Sequence, residues 1–228
     1  MSKNLISWLD LRLKFRRLIR FPDWYDTIRI MGSSDALAIY KQLQEKNIKF
    51  LDYGVLAKFT GCTNKNTIYK IADRLIEKTV ITRLTDGKFM VIDSNLNDFE
   101  IANFLYQPSY ISLESALSYY GILAQFSYSV TSVSTKKSKK VVINAKEYSY
   151  STIKDELFAG YVKLDSFLIA TREKALLDMV YFDTKGITKI GQGDLDLNSI
   201  DETRLQEFAK KYNRQVNSRL NEVLNDRQ

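Results

Sequence analysis

Asn64, Lys65, Asn66, Thr67, Tyr69, Lys70 and Arg74 crowd one short stretch of the chain, and Lys88 follows. These are side-chain types that grip duplex DNA. Asn can pair with adenine through two hydrogen bonds, and Lys can reach guanine acceptors or a phosphate. In a helix starting near Asn64, Lys65 would oppose the helix dipole, and a nearby phosphate would turn that cost into a gain. An ordinary solvated helix face, or one that binds protein, would carry the same residues. A second basic cluster, Lys136-Lys137-Ser138-Lys139-Lys140, is also open to two readings. It is either a further phosphate-binding site or a solvated loop whose charges keep strand edges from pairing with other chains.

Other chemistry is thinly represented. The chain has no histidine, which removes His-based triads, His general bases and the common zinc sites together. An enzyme acting on nucleic acid or nucleotides would have to lean on Asp194-Leu195-Asp196 beside Gly191 and Gly193. That is an acidic pair of a kind that can bind a metal ion, but an isolated Asp-x-Asp is a weak signal. No catalytic residue, cofactor or metal site is expected. The single cysteine, Cys62, excludes an internal disulfide and suits a reducing cytosol. Without a second cysteine to resolve a sulfenic acid, it reads as a small buried residue in a turn rather than a redox sensor.

The spacing around the first cluster predicts the elements that would position it. Ser34 and Asp35 are N-cap candidates for a helix carrying Leu37, Ile39, Tyr40 and Leu43 to about Asn47. A short helix fits Tyr53 to Phe59. Gly61-Cys62 makes a turn, Thr63 offers a capping hydroxyl, and a third helix runs from about Asn64 to Lys78 with Ile68, Ala72, Leu75 and Thr79 inward. Two strands, Ile81–Leu84 and Phe89–Ile92, flank Asp86-Gly87, whose positive φ angles suit a tight hairpin. Three helices and a hairpin make a winged helix-turn-helix over 34–95, its third helix bound for the major groove and its wing for the backbone.

Charge divides the chain in the same place. Residues 1–30 carry seven Lys/Arg against three Asp/Glu, 31–93 ten against seven, and 94–228 seventeen of each. A basic front and a neutral back point to two jobs, the front facing a polyanion. Ahead of the helices, an N-terminal extension over 1–33 alternates apolar and basic residues from Leu11 through Arg16, loses that period so that strand and helix are not separable, and stops at Pro22. It is open to readings as a packed extension, an arm on DNA, or a membrane-surface or partner helix. Asp10, Arg12 and Lys14 interrupt any signal-peptide core, and with no apolar run near 18 residues no membrane span is expected.

In the back domain, 96–228, a short helix is expected from Phe99 to Leu105, ended near Pro108. A helix capped at Ser112, with Ser115 in the capping-box position, should stop at Gly121. Strands fit Tyr128–Ser134, Val141–Ile143, Tyr148–Ile153 and Val162–Ala170. Thr171 should cap a helix to Tyr181. One long C-terminal helix, about Asp201 to Leu224, would place Leu205, Phe208, Tyr212, Val216 and Leu220 on one stripe. The fold class expected is α+β, a winged helix-turn-helix followed by a mixed α/β domain with that long helix.

Two strings in this back domain, Tyr110-Ile111-Ser112-Leu113-Glu114-Ser115-Ala116-Leu117 and Thr171-Arg172-Glu173-Lys174-Ala175-Leu176-Leu177-Asp178 after a strand ending Ile169-Ala170, resemble the signature of the AbiEi family of antitoxins. The resemblance covers about 34–228 and leaves the leader outside. The family usually has Pro at the position of Arg172 and His near Tyr120. Arg at the first helical position leaves the helix start intact, but any role of that His is lost. The resemblance implies a cytoplasmic bacterial antitoxin of a type IV (abortive infection, phage-defence) toxin–antitoxin system. Its partner would be a nucleotidyltransferase-like toxin, counteracted without a stable complex. It also implies repression of its own promoter by binding inverted repeats, as a dimer or cooperatively on DNA. The alternative is a stand-alone winged-helix transcriptional regulator whose back domain senses a ligand or partner.

Overall fold

A computed structural model describes residues 33–124, 128–191 and 195–225, which form two units, the first ending at Ser94 and the second beginning at Asn95. The leader, 1–32, lies outside the described residues, as do the side chains of Ser34 and Asp35. The architecture is mixed α+β.

In the first unit α1 (Ser33–Glu45) packs Leu43, Ile39 and Tyr40 on the core as expected, but leaves Leu37 54% exposed and buries Ala36 instead. Asn47 (φ 50°) ends it, with Ile48 N–H donating back to Leu43 O at 2.8 Å. A strand that periodicity did not reveal, β1 (Phe50–Asp52), leads directly into α2 (Tyr53–Thr60). Asp52 caps that helix by accepting from Val55 N–H at 2.6 Å, and Gly61 (φ 67°) closes it. α3 (Lys65–Glu77) follows, then the hairpin β2 (Ile81–Thr85) and β3 (Lys88–Val91). β3 is the middle strand, antiparallel to both β1 and β2. Gly87 holds the turn at φ 70°, and a Cβ there would lie 3.2 Å from the Tyr53 ring. Leu43, Leu51, Leu56, Ala72, Leu75 and Phe89 are fully buried in one core. Each buried Leu contributes about 1.5–3 kcal/mol of transfer free energy.

The second unit is built on a six-stranded mixed sheet of order β6-β7-β5-β4-β9-β8. Its strands are β4 (Ser109–Ile111), β5 (Val130–Ser134), β6 (Lys139–Ile143), β7 (Lys146–Thr152), β8 (Tyr161–Leu164) and β9 (Phe167–Ala170). β4–β9 and β5–β7 are parallel, and the other neighbours are antiparallel. The run Val162–Ala170 is therefore a hairpin and not one strand, because Asp165 turns the chain at φ 48°. α4 (Asp98–Leu105) starts with a capping box between Asn97 and Glu100 and docks on one sheet face. There Tyr150 Oη donates to Ala102 O at 2.7 Å and Tyr148 Oη to Asp98 at 3.1 Å.

Pleating turns Tyr110 to the other face, toward α5 (Leu113–Tyr119) and α6 (Arg172–Asp183). α6 is capped by Thr171, as its sequence foretold, and is buried from Glu173 to Phe182. The expected long C-terminal helix is two helices, α7 (Glu202–Ala209) and α8 (Arg214–Asn225). The break has a local cause: Asn213 Oδ1 accepts from Val216 N–H at 3.0 Å and begins a new helix, while Asn217 Nδ2 donates to Tyr212 O. Leu205, Tyr212, Val216 and Leu220 are nonetheless all buried, with Phe208 half-buried.

Candidate nucleic-acid interface and the buried polar centre

On α3 the apolar residues Ile68, Ile71, Ala72 and Leu75 go into the core. Thr79 does not join them: the helix ends before it, and at φ 53° it is exposed. Lys65, Asn66, Tyr69, Lys70 and Arg74 are exposed and Thr67 is half-buried. The cap is Asn64 and not Thr63. Asn64 Oδ1 accepts from Asn66 N–H at 3.0 Å and Thr67 N–H at 3.3 Å, so this oxygen serves the helix rather than a base edge.

Opposite the core, the N-terminal half of α3 shows Asn66 and Lys70, and the C-terminal half shows Asp73 and Glu77. The acidic half is countered from the hairpin. Arg83 on β2 donates to Asp73 at 3.1 Å and lies over the Phe89 ring at 5.4 Å. The Tyr69 ring packs tilted against Tyr53, with centroids 4.6 Å apart, and Tyr53 in turn meets Phe89 edge-on at 5.3 Å. Arg83 and Tyr53 belong to this surface and were missed from sequence, because their partners on α3 are distant along the chain. Lys88 is half-buried where β3 opens, paired across the strands with Thr85 and Asp52, and does not sit at the hairpin tip. Cys62 is buried, its thiol 3.8 Å from Asn64 O.

In the second unit Lys136 and Lys137 occupy the turn before β6, while Lys139 and Lys140 lie on β6 itself, an edge strand. Lys140 pairs with Glu147 at 3.1 Å. Of the acidic pair, Asp194 is outside the described residues, and exposed Asp196 accepts from Asn198 N–H at 3.0 Å in a local turn. Among the described residues no three His, Cys, Asp or Glu side chains cluster as metal ligands.

The most concentrated polar chemistry lies at the centre of the second unit. Lys174 and Asp178, one turn apart on α6, form an ion pair with side chains 2% and 0% exposed. Asp178 Oδ1 also accepts from Tyr212 at 3.4 Å, while Oδ2 accepts from Tyr110 at 2.9 Å and Ser112 at 2.8 Å. Lys174 Nζ donates to Tyr212 Oη at 2.8 Å. Ser112 thus does not cap α5 with its hydroxyl, as expected, but gives it to Asp178.

Four donors fill the acceptor capacity of the carboxylate, so the cluster leaves no site on Asp178 for a ligand. Gly160 (φ 80°) makes room for it, since a Cβ there would lie 3.0 Å from Lys174 Cγ. Burial first, then the Asp178 charge, push the phenols of Tyr110 and Tyr212 well above their ordinary range and hold them as donors. The signal in the sequence was a Lys and an Asp at helical spacing flanking Ala175-Leu176-Leu177 and followed by Met179-Val180-Tyr181-Phe182; on a surface the same spacing is an ordinary solvated pair.

No protein-family model and no curated protein matches the chain. Among solved structures it is similar to the Rv2827c protein of Mycobacterium tuberculosis, with a TM-score of 0.58 and 13% identity over 91% of this chain and 78% of that one. A likeness at that identity is one of fold. Among the described residues no helix is long and apolar enough to cross a membrane.

Proposed function

We propose that this chain is the non-catalytic antitoxin of a type IV toxin–antitoxin system and the repressor of its own promoter. In this reading α1–α3 with β1–β3 are a winged helix-turn-helix, α3 is the recognition helix and β2–β3 the wing. The observation that carries it is the exposed N-terminal half of α3. Lys65, Asn66 and Lys70 stand there beside a helix N-terminus capped from within by Asn64, and Arg83 covers the acidic half. A phosphate near that terminus would meet both the dipole and Lys65.

The second unit is read as the part that counteracts a nucleotidyltransferase-like toxin without a stable complex. That reading is supported by its two AbiEi-like strings. They supply Tyr110, Ser112, Lys174 and Asp178, four of the five side chains in the buried cluster, so the resemblance falls on residues that hold this unit together.

The test is a gel-shift of the full chain on the DNA upstream of its own gene at two salt concentrations, with competitor DNA, followed by co-expression with a nucleotidyltransferase-like toxin if the adjacent gene encodes one. Salt-sensitive binding that survives competitor, together with rescue of growth, is expected. Equal retention of promoter and competitor would overturn the repressor reading, and absence of rescue the antitoxin reading.

A further inference from the structure

The lysine turn at the edge of the six-stranded sheet is more ordered than edge protection requires. Lys136 N–H donates to Ser134 Oγ at 3.1 Å and Lys136 O accepts from Thr152 Oγ1 at 2.8 Å. Ser138 Oγ accepts from Thr152 N–H at 3.1 Å and lies 2.9 Å from its hydroxyl. Tyr106 Oη donates to Lys137 O at 2.8 Å. The same tyrosine ring holds two ammonium groups, Lys136 Nζ at 5.7 Å and Lys139 Nζ at 5.6 Å from its centroid.

Lysines that merely blunt an edge would gain by spreading into solvent, since like charges repel. Here two converge on one ring. Lys136, Lys137 and Lys139 have no carboxylate partner among the described residues, unlike Lys140. The turn therefore presents several cations, close together, on a backbone fixed in advance.

We propose that this turn is a second DNA contact, in which Lys136, Lys137 and Lys139 neutralise phosphates of the duplex backbone without reading sequence. It rests on the reading of the chain as a DNA-binding protein and extends the contact to the second unit. Duplex DNA carries one charge per roughly 1.7 Å of axis, a density that suits clustered cations. The turn contains Lys and no Arg. Its ammonium groups are compact point charges of the kind that commonly bind phosphate without bidentate geometry. The dense, regular charge of a nucleic-acid backbone therefore fits the cluster better than a flexible acidic peptide does.

The experiment compares the full chain with the Lys136→Gln, Lys137→Gln, Lys139→Gln triple variant. Binding is titrated against salt on the promoter duplex and on a base-scrambled duplex of equal length. Each lost phosphate contact lowers the log–log salt slope by about 0.9, so a fall of between about 1 and 3 is expected on both duplexes. The promoter-to-scrambled ratio should be unchanged, and Lys→Arg at the same three positions should keep the parent slope. Unchanged slopes in the Gln variant overturn the proposal, and if retention on polyglutamate is lost at the same time, the surface belongs to an acidic protein instead. A parent chain that does not prefer the promoter refutes the repressor reading alone, because the slope change on the scrambled duplex still reports the turn. A parent that binds neither duplex overturns both.

Discussion

On α3 the side chains that give the first unit its character, Lys65, Asn66 and Lys70, stand in solvent, while in the second unit Lys174 and Asp178 are 2% and 0% exposed. The two sets are alike in chemistry and opposite in cost. An exposed lysine is already solvated, adds little to folding and is available to a partner. A buried ion pair has lost its water and is tolerable only if every lone pair and proton finds a partner, as Asp178 does with four donors. Polar residues at helical spacing thus stand in solvent in one unit and form an internal fastening in the other, and what separates them is that α3 buries one face whereas α6 is buried on all sides.

Alkaline pH should open the widest gap between the units. Burial, first of all, raises the phenols of Tyr110, Tyr148, Tyr150 and Tyr212 in the second unit; the Asp178 charge adds to the effect at Tyr110 and Tyr212, and Asp98 at Tyr148. In the unfolded chain these phenols ionise near pH 10, whereas in the fold they stay protonated. Above that pH the native state binds more protons than the unfolded one, so stability falls as pH rises; below it the contribution is intact. Each phenol is worth up to about 1.4 kcal/mol per pH unit, and four together would exhaust a stability of about 5–15 kcal/mol within a few units. Tyrosinate absorbance from these residues should rise only together with loss of ellipticity. Smooth ionisation of every tyrosine in a still-folded chain would break the comparison.

Removing one partner of the ion pair is the next largest effect. Asp178→Ala strands a buried ammonium and three hydroxyls and should cost about 3–5 kcal/mol in urea unfolding. Replacing both charges by apolar residues, Lys174→Met with Asp178→Leu, should recover part of that loss. A single variant as stable as the parent would mean that the cluster is not closed to water.

These residues also mark where the sequence was and was not legible. Where one face of an element is apolar and the other polar, as on α3, periodicity located the helix and most of its buried face. Turn chemistry placed the hairpin at Asp86-Gly87, and Thr171 marked the start of α6. α6 itself has no polar face, so nothing in its periodicity told that Lys174 and Asp178 point inward. The stripe Leu205–Leu220 keeps helical spacing through Tyr212, and only the side chain of Asn213 breaks it in two. β1 is three residues long, too short for an alternating pattern, and exists because β3 offers it an edge. The exposed face could be listed from sequence, but Arg83 and Tyr53 reach it only through tertiary structure.

Asn64 lies on the border between the two kinds of polar residue, exposed yet employed by the fold. Asn64→Ala should destabilise α3 by about 1 kcal/mol, while Asn64→Ser, which can still cap, should not. The readout is amide exchange at Asn66 and Thr67, whose N–H groups Asn64 holds. Unchanged exchange in the Ala variant would return Asn64 to the set of side chains free to meet a base.

The smallest expected effect on folding carries the sharpest functional test. Lys65 and Lys70 are exposed, and no ion pair holds either among the described residues, so Lys65→Ala with Lys70→Ala should change stability by no more than about 0.5 kcal/mol. Lys65→Ala also removes a cation opposed to the helix dipole, which offsets part of any loss. The same pair should abolish promoter binding in a gel-shift, since it takes the positive charge from the half of α3 that Arg83 does not serve. Protection against the toxin should persist, because the fastening at Lys174 and Asp178 lies in the other unit. If the folded double variant loses promoter binding and protection together, the two units do not divide the work. If it keeps promoter binding, α3 is not the surface that meets DNA, and the exposed face of the first unit serves some other partner.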